Sequence, residues 1–349
     1  MNVQPVQSVL VTGGAGYVGS HICKALSRAG ILPVTFDNLA TGHRWAVKWG
    51  PLEVGDVRDA DLLETVMRRH GVTAVLHFAA LSLVGRSAQE PLEYYDVNVG
   101  GANALARAMQ RCGLRRLVFS STCAVYGVPD TLPITEDATK SPVNVYGRTK
   151  LAAENLFSDL ARAGVLDVVL LRYFNAAGAD REAEIGEAHD PETHLIPLAI
   201  RSTMGNYEPL QVFGTDYQTP DGTCLRDYIH VEDLADAHLK ALALLDRTPG
   251  CHAYNLGTGI PVSVREVLAS VGRAAGKPVP VVECPRREGD AEQLYASPEK
   301  AKRELGWSAA QTDIDSMIGS ALRWHRKGAP RADDSGGLPN QPLPTTARR

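Results

Sequence analysis

Strand-length apolar runs alternate with stretches of helical apolar spacing along the first half of the chain. Val9-Leu10-Val11 leads into a glycine-rich turn, beyond which Ile22, Ala25 and Leu26 keep a helical period. The runs Leu32-Pro33-Val34-Thr35-Phe36 and Leu52-Glu53-Val54 precede a helical stretch through Val66 and Met67. Ala74-Val75-Leu76-His77-Phe78 reads as the next strand and residues 91–112 as a long helix. Leu117-Val118-Phe119-Ser120 reads as a strand, the segment around Tyr146 as a helix, and Val168-Val169-Leu170-Leu171 as a strand again. This alternation predicts an α/β fold: a doubly wound parallel sheet covered on both faces.

Beyond about Asn175 longer polar loops with Gly and Pro take over, and a smaller C-terminal α/β domain is expected there. Within it residues 230–245 and 263–275 read as helices and 253–256 as extended. The expected division is 1–175 for a nucleotide domain and 176–327 for a substrate domain, with some segments of the second returning to the first. Residues 328–349 are rich in Gly, Pro, Asp and Ser, with too few apolar residues for a core, and are expected to be disordered.

The turn itself, Thr12-Gly13-Gly14-Ala15-Gly16-Tyr17-Val18-Gly19, joins a strand to a helix. Gly14, Gly16 and Gly19 satisfy one glycine frame, and Gly13, Gly16 and Gly19 another. Glycines there allow a tight turn and close backbone approach, while the helix offers free N–H groups and its positive end to a pyrophosphate. Asp37 ends the second strand at about the offset where a carboxylate meets the adenosine ribose, which favours NAD over NADP. A Rossmann-type domain follows from this combination.

Tyr146 and Lys150 share one helix face, so an ammonium can stand beside a phenol and favour its ionised form. Bringing a tyrosine from about 10 to neutrality needs roughly 4 kcal/mol, which one cation about 4 Å away supplies at an effective dielectric of about 20. Thr122, after the strand ending near Ser120, lies where such sheets expose reactive groups and has a hydroxyl to donate.

At 349 residues with a formal charge of −4, the chain has length for two domains and no basic stripe for nucleic acid or membrane surfaces. Its six cysteines form no CxxC pair, no charged-then-apolar leader precedes the first strand, and no apolar run approaches about 18 residues. Reduced thiols and a cytoplasmic location are expected, with no metal site.

Over roughly residues 8–325 the chain resembles the UDP-glucose 4-epimerase (UDP-galactose 4-epimerase) family of extended short-chain dehydrogenases/reductases. The resemblance is carried by TGGAGYVGSH from Thr12, Phe36-Asp37-Asn38-Leu39, Gly55-Asp56-Val57-Arg58, His77-Phe78-Ala79-Ala80 and Pro91-Leu92-Glu93-Tyr94-Tyr95-Asp96. Leu171-Arg172-Tyr173-Phe174-Asn175, Leu225-Arg226-Asp227-Tyr228, Tyr254-Asn255-Leu256-Gly257 and Arg286-Arg287-Glu288-Gly289-Asp290 extend it.

The resemblance implies an isomerase that inverts C4 of a UDP-sugar, UDP-glucose/UDP-galactose first, by transient oxidation, rotation of the 4-keto sugar and re-reduction. Tyr146, Lys150 and Thr122 would be catalytic. NAD would lie among Gly13, Gly16, Tyr17, Val18, Gly19, Asp37, Asn38, Asp56, Val57, Phe78, Ala79, Tyr146, Lys150 and Tyr173. The substrate would meet Thr122, Tyr146, Asn175, Leu195, Phe213, Arg226, Arg287, Asp290 and Leu294. The two arginines suit a diphosphate because guanidinium forks bind its oxygens in pairs.

Ser82, Val97 and His194 depart from the commoner family pattern at positions often held by lysine, asparagine and asparagine. Leu294 stands at the position that limits sugar bulk, which predicts partial tolerance of N-acetyl sugars. A UDP-pentose (xylose/arabinose) 4-epimerase, a nucleotide-sugar 4,6-dehydratase and a non-catalytic NAD-binding sensor are the other readings. The family's usual homodimer, joined through residues 91–112 and 146–164, and a role in galactose metabolism are also implied.

Overall fold

Strands β1 (Ser8–Thr12), β2 (Leu32–Asp37), β3 (Leu52–Val54), β4 (Val72–His77), β5 (Arg116–Thr122) and β6 (Asp167–Tyr173) come first along the chain. Nearly every residue of β1, β4, β5 and β6 is buried, so both faces of these strands must be covered. Later come β7 (Asn175–Ala177), β8 (Leu210–Phe213), β9 (Leu225–His230), β10 (Cys251–Leu256), β11 (Pro261–Ser263), β12 (Val281–Cys284) and β13 (Gln293–Leu294). The helices are α1 (Tyr17–Arg28), α2 (Ala60–Arg69), α3 (Val84–Gln89), α4 (Pro91–Tyr95), α5 (Gly101–Arg111) and α6 (Val145–Arg162), then α7 (Leu195–Thr203), α8 (Val231–Leu245), α9 (Val264–Ala275) and α10 (Ile314–Lys327). This computed structural model describes residues 7–205, 208–287 and 289–328; the expected tail beyond 328 lies outside them.

Seven strands form one parallel sheet in the order β3-β2-β1-β4-β5-β6-β10. The pleat sends alternate side chains of β1 to opposite faces. Val9 and Val11 join Ile22 and Leu26 of α1 and Leu234, Leu242 and Leu245 of α8, while Leu10 joins Leu63 and Val66 of α2, Leu105 and Met109 of α5, and Phe157 of α6. The order reverses between β1 and β4, and in such sheets the crevice beyond the carboxyl ends at that point receives ligands.

The helix expected over 91–112 runs through Pro91 to Arg111, but Asp96–Gly100 widens into a π turn between α4 and α5. There the buried Asn98 side chain accepts from Leu81 N at 2.8 Å and donates to Thr149 Oγ1 at 3.0 Å. A uniform 3.6-residue reading cannot show such a turn.

The second half of the chain builds a small sheet, β11-β9-β13 with β7 also on β9, and a two-stranded β12-β8 pair. Ile200 of α7, Val267 and Val271 of α9, and Ile318 and Leu322 of α10 form its apolar centre. β10 leaves this region and pairs in parallel with β6 at the edge of the large sheet. Among the described residues no helix is long and apolar enough to cross a membrane.

Burial pushes the imidazoles of His21, His230 and His238 down to about 4 and that of His77 to about 3. Unfolded, each binds its proton near 6.5, so between about pH 6.5 and 4 the unfolded chain holds more protons, and stability is lost as pH falls through that window. Proton–nitrogen NMR spectra are expected to show these four rings neutral from about pH 7.5 to 5.5. An ordinary midpoint near 6.5 on any of them would contradict their burial.

Candidate active site

The glycine turn is built by close backbone approach. Gly13 has φ +72, and a Cβ on it would stand 2.7 Å from Ala79 N at the end of β4. A Cβ on Gly19 would stand 2.3 Å from the Gly13 carbonyl oxygen, so α1 begins almost touching the loop. Of the two glycine frames, 13/16/19 therefore includes both contact points. Gly16 caps α1 without a side-chain bond and no acidic residue occupies its first turn, which leaves the positive end free for an anion. This cradle, which added side chains would fill, fits a dinucleotide pyrophosphate.

Asp37 braces the turn from β2. Its Oδ2 accepts from Ala15 N at 3.0 Å and its Oδ1 from Leu39 N at 2.8 Å. Burial raises its carboxyl above the usual range while those two N–H groups oppose the rise. Asn38 Oδ1 accepts from Ala40 N at 3.0 Å, and Asp56 pairs with Arg58 at 2.7 Å, which holds its carboxyl low. Val57 is buried against Gly101, Val18 packs on the α1–α8 cluster, and Phe78 lies 4.8 Å from the His238 ring. Ala79 N donates to Thr12 O at 3.1 Å, and Tyr17 donates its hydroxyl proton to Gly178 O at 2.6 Å. Tyr173 shares a hydrogen bond with Ser120, and burial pushes its phenol up to about 12.

Thr122 ends β5 and its Oγ1 accepts from Ala124 N at 3.1 Å. The first turn of α6 packs on the loop after it: a Cβ on Gly147 would stand 2.6 Å from Ala124 O, and Asn144 caps the helix by accepting from Gly147 N at 2.8 Å. Tyr146 thereby comes close enough to Thr122 for that hydroxyl to favour the phenolate. The net effect is nevertheless the reverse of the sequence-based expectation. Burial, reinforced by the Tyr173 phenol, raises Tyr146 well above its ordinary value. Lys150 does not offset this, because burial brings its own amine down to about 7 against the pull of Glu154, and its Nζ sits 4.4 Å from the centre of the Phe119 ring. A desolvated lysine carries only part of the charge assumed for an exposed one.

Sequence reasoning missed the groups behind this pair. Glu154, one turn beyond Lys150, accepts from Arg172 at 2.8 Å with both side chains almost wholly buried, and Ser121 donates to it at 2.5 Å. Tyr146, Lys150 and Glu154 at four-residue spacing were a legible signal of a polar stripe on α6.

Across the cleft, Arg226 on β9 faces Leu294 on β13 and lies 3.7 Å from Asp290. Arg287 stacks over Phe213 at 3.8 Å. Burial raises the Cys224 thiol, with Arg226, Asp290 and Arg287 close enough for their charges to be felt there, and the Arg226 charge also reaches Cys123, next in sequence to Thr122. Asn175 opens β7 beside Tyr228. Leu195 and Leu294 lean into apolar clusters, around Ile196 and Ile200 and around Tyr126 and Phe174 respectively.

Residues 9–257 match the NAD dependent epimerase/dehydratase family. The chain belongs to this family. Among relatives in it, UDP-glucose 4-epimerase of Rhizobium leguminosarum bv. trifolii is 49% identical over 321 residues, 92% of this chain and 98% of the relative. UDP-glucose 4-epimerase from Brucella ovis, solved with NAD, is 48% identical with a TM-score of 0.89, over 91% of this chain and 98% of its own. UDP-glucose 4-epimerase from Stenotrophomonas maltophila, solved with NAD and formylated UDP-arabinopyranose, is 42% identical with a TM-score of 0.89, over 92% and 98%.

A lysine depressed to about 7 destabilises the fold wherever it must carry a proton. Between about pH 7 and 10.5 the unfolded chain holds a proton the folded one releases, so stability rises with pH there, and the full cost is felt below 7. Lys150→Met is expected to exceed the parent in stability at neutral pH by a few kcal/mol, at about 1.4 kcal/mol per unit, with the advantage shrinking toward pH ~10. Urea unfolding of both nucleotide-free proteins across that range measures it, and an advantage that grows with pH would contradict the account.

Proposed function

We infer that the chain is an NAD-dependent isomerase that inverts C4 of a UDP-sugar and interconverts UDP-glucose and UDP-galactose. The carrying observation is Tyr146 and Thr122 brought together at the carboxyl end of β5, beside a glycine cradle, in a chain 49% identical to a UDP-glucose 4-epimerase. NAD, when bound, supplies the reversible two-electron oxidation that makes C4 planar, together with a positively charged ring. Tyr146 takes the proton from the 4-hydroxyl and later returns it. The Thr122 hydroxyl lies at the phenol and holds the same oxygen by hydrogen bonding. Lys150 adds what positive charge its burial leaves it.

Inversion requires the sugar to turn over while the nucleotide stays fixed. Arg226 and Arg287 grip the diphosphate, with Phe213, Asp290, Asn175 and Leu195 around the uridine end, so binding energy remote from C4 does the holding. The remaining residues, Gly13, Gly16, Tyr17, Val18, Gly19, Asp37, Asn38, Asp56, Val57, Phe78, Ala79 and Tyr173, form the NAD side. Leu294 limits the bulk admitted at the sugar. The division at residues 175 and 327 separates nucleotide and sugar work, and the protein acts in the cytoplasm in galactose metabolism. It pairs as a homodimer through residues 91–112 and 146–164, a reading supported by the 86% exposure of Leu92 on α4.

UDP-pentose 4-epimerisation is the second reading, favoured by the pentose nucleotide bound to the Stenotrophomonas relative. A dehydratase would need an acid/base pair after Thr122, where this chain has Cys123, its thiol pushed up to about 12 by burial, and Ala124.

Purified protein assayed with UDP-glucose, UDP-galactose and UDP-xylose is expected to interconvert the hexoses fastest. Tyr146→Phe is expected to lower that rate by about 10²–10⁴ while bound nucleotide, identified after denaturation, is kept. Undiminished turnover in the variant, or no change at C4 of any of these sugars in the parent, would sink the assignment.

A further inference from the structure

Between β7 and α7 the chain reads Glu187-x-His189-x-x-Glu192-x-His194. One donor atom from each of these four side chains lies within 4.8 Å of every other. Glu187 Oε1 stands 2.5 Å from His194 Nδ1 and 3.0 Å from His189 Nδ1, and Glu192 Oε1 stands 3.5 Å and 3.7 Å from the same two nitrogens. The Glu192 side chain is 1% exposed, yet its Oε2 has no hydrogen-bond partner; the nearest cation, Arg201 Nη2, is 3.9 Å away. His189 Nδ1 is likewise buried without a hydrogen bond. A carboxylate oxygen withdrawn from water and left unpaired is costly unless something positive meets it.

The segment is braced independently of these four side chains. Trp324 Nε1 donates to Glu187 O at 2.8 Å and the His43 ring bonds Ala188 O at 2.7 Å, while the candidate ligand His189 itself packs edge-on to the Tyr17 ring at the start of α1 at 6.2 Å. The backbone at Glu187 and Ala188 is thus fixed by bonds that need no metal. Two imidazoles with two carboxylates match zinc and its first-row neighbours, whereas magnesium and calcium prefer oxygen alone. Around a tetrahedral ion with ligand distances of about 2.0–2.2 Å the donors stand roughly 3.3 Å apart, so small side-chain rotations close the set.

We propose that Glu187, His189, Glu192 and His194 bind one divalent transition-metal ion of the zinc class, in a closed structural site that clips this segment beside the start of α1. This departs from the sequence-based expectation of no metal, and it gives His194, which stands where asparagine is common, a role.

The test uses full-length protein carrying no polyhistidine tag, stripped with a chelating resin and titrated with zinc or cobalt(II). The expected result is one equivalent retained through gel filtration, a visible cobalt spectrum of four-coordinate nitrogen and oxygen ligation, and a raised unfolding temperature. His189→Ala and His194→Ala should each weaken binding by at least about tenfold, the lower bound set by loss of an outer-shell partner. Cys251→Ser, which removes an exposed thiol, should leave it unchanged. Should an alanine variant fold poorly, Glu192→Gln and the parent's own cobalt spectrum decide. No retained metal, a thiolate spectrum, or binding that survives both histidine changes overturns the proposal and leaves an ion-pair cluster only.

Discussion

Burying the Lys150 amine on α6 is the constraint around which this molecule is arranged. Lys150 lies against Phe119, and the carboxylate one turn away, Glu154, is engaged by Arg172 and Ser121. Arg172 also donates to Tyr126 Oη at 2.9 Å, and Tyr126 donates to Asn255 Oδ1 at 2.7 Å. A continuous polar network therefore runs from α6 through β5 and β6 to β10. Leaving any member of a buried network unpaired is expensive, so the network fixes α6 relative to the carboxyl end of β5, where Thr122 sits.

The opposite constraint acts at the glycine turn, where the backbone must approach itself and no side chain fits. Gly13 and Gly19 bring α1 against β1 and β4, and Asp37 ties the turn to β2 by accepting from Ala15 N. One half of the cleft is thus a rigid anion cradle made of main chain, and the other carries Arg226 on a second, smaller sheet and Arg287 in the loop after β12. Arg226 belongs to that second half, yet its charge reaches the Cys123 thiol just past the end of β5, where burial is the larger influence.

Much of this was legible in the residues. Period and punctuation gave the presence and order of β1, α1, β2, β4, β5, α6 and β6, the strands because those buried on both faces are continuous apolar runs. The Tyr146/Lys150 pair and the glycine turn were visible because each rests on local spacing. The π turn at Asp96–Gly100 was not, since it depends on Asn98 finding Leu81 and Thr149 from elsewhere in the chain. The raised phenol of Tyr146 escaped for a related reason: a pair at helical spacing reveals proximity but not how dry its surroundings are. Leu294 and Leu195 illustrate the same limit, as their lean toward apolar clusters is set by β13 and α7 packing rather than by neighbours in sequence.

β10 and α8 are made long after β6, yet they complete its sheet edge and cover one of its faces. A ribosome that has released only the strands through Tyr173 therefore presents an unpaired β6 edge and a bare apolar surface lined by Val118, Val169 and Leu171. Translation must continue to Leu256 before that edge can be paired and the surface closed.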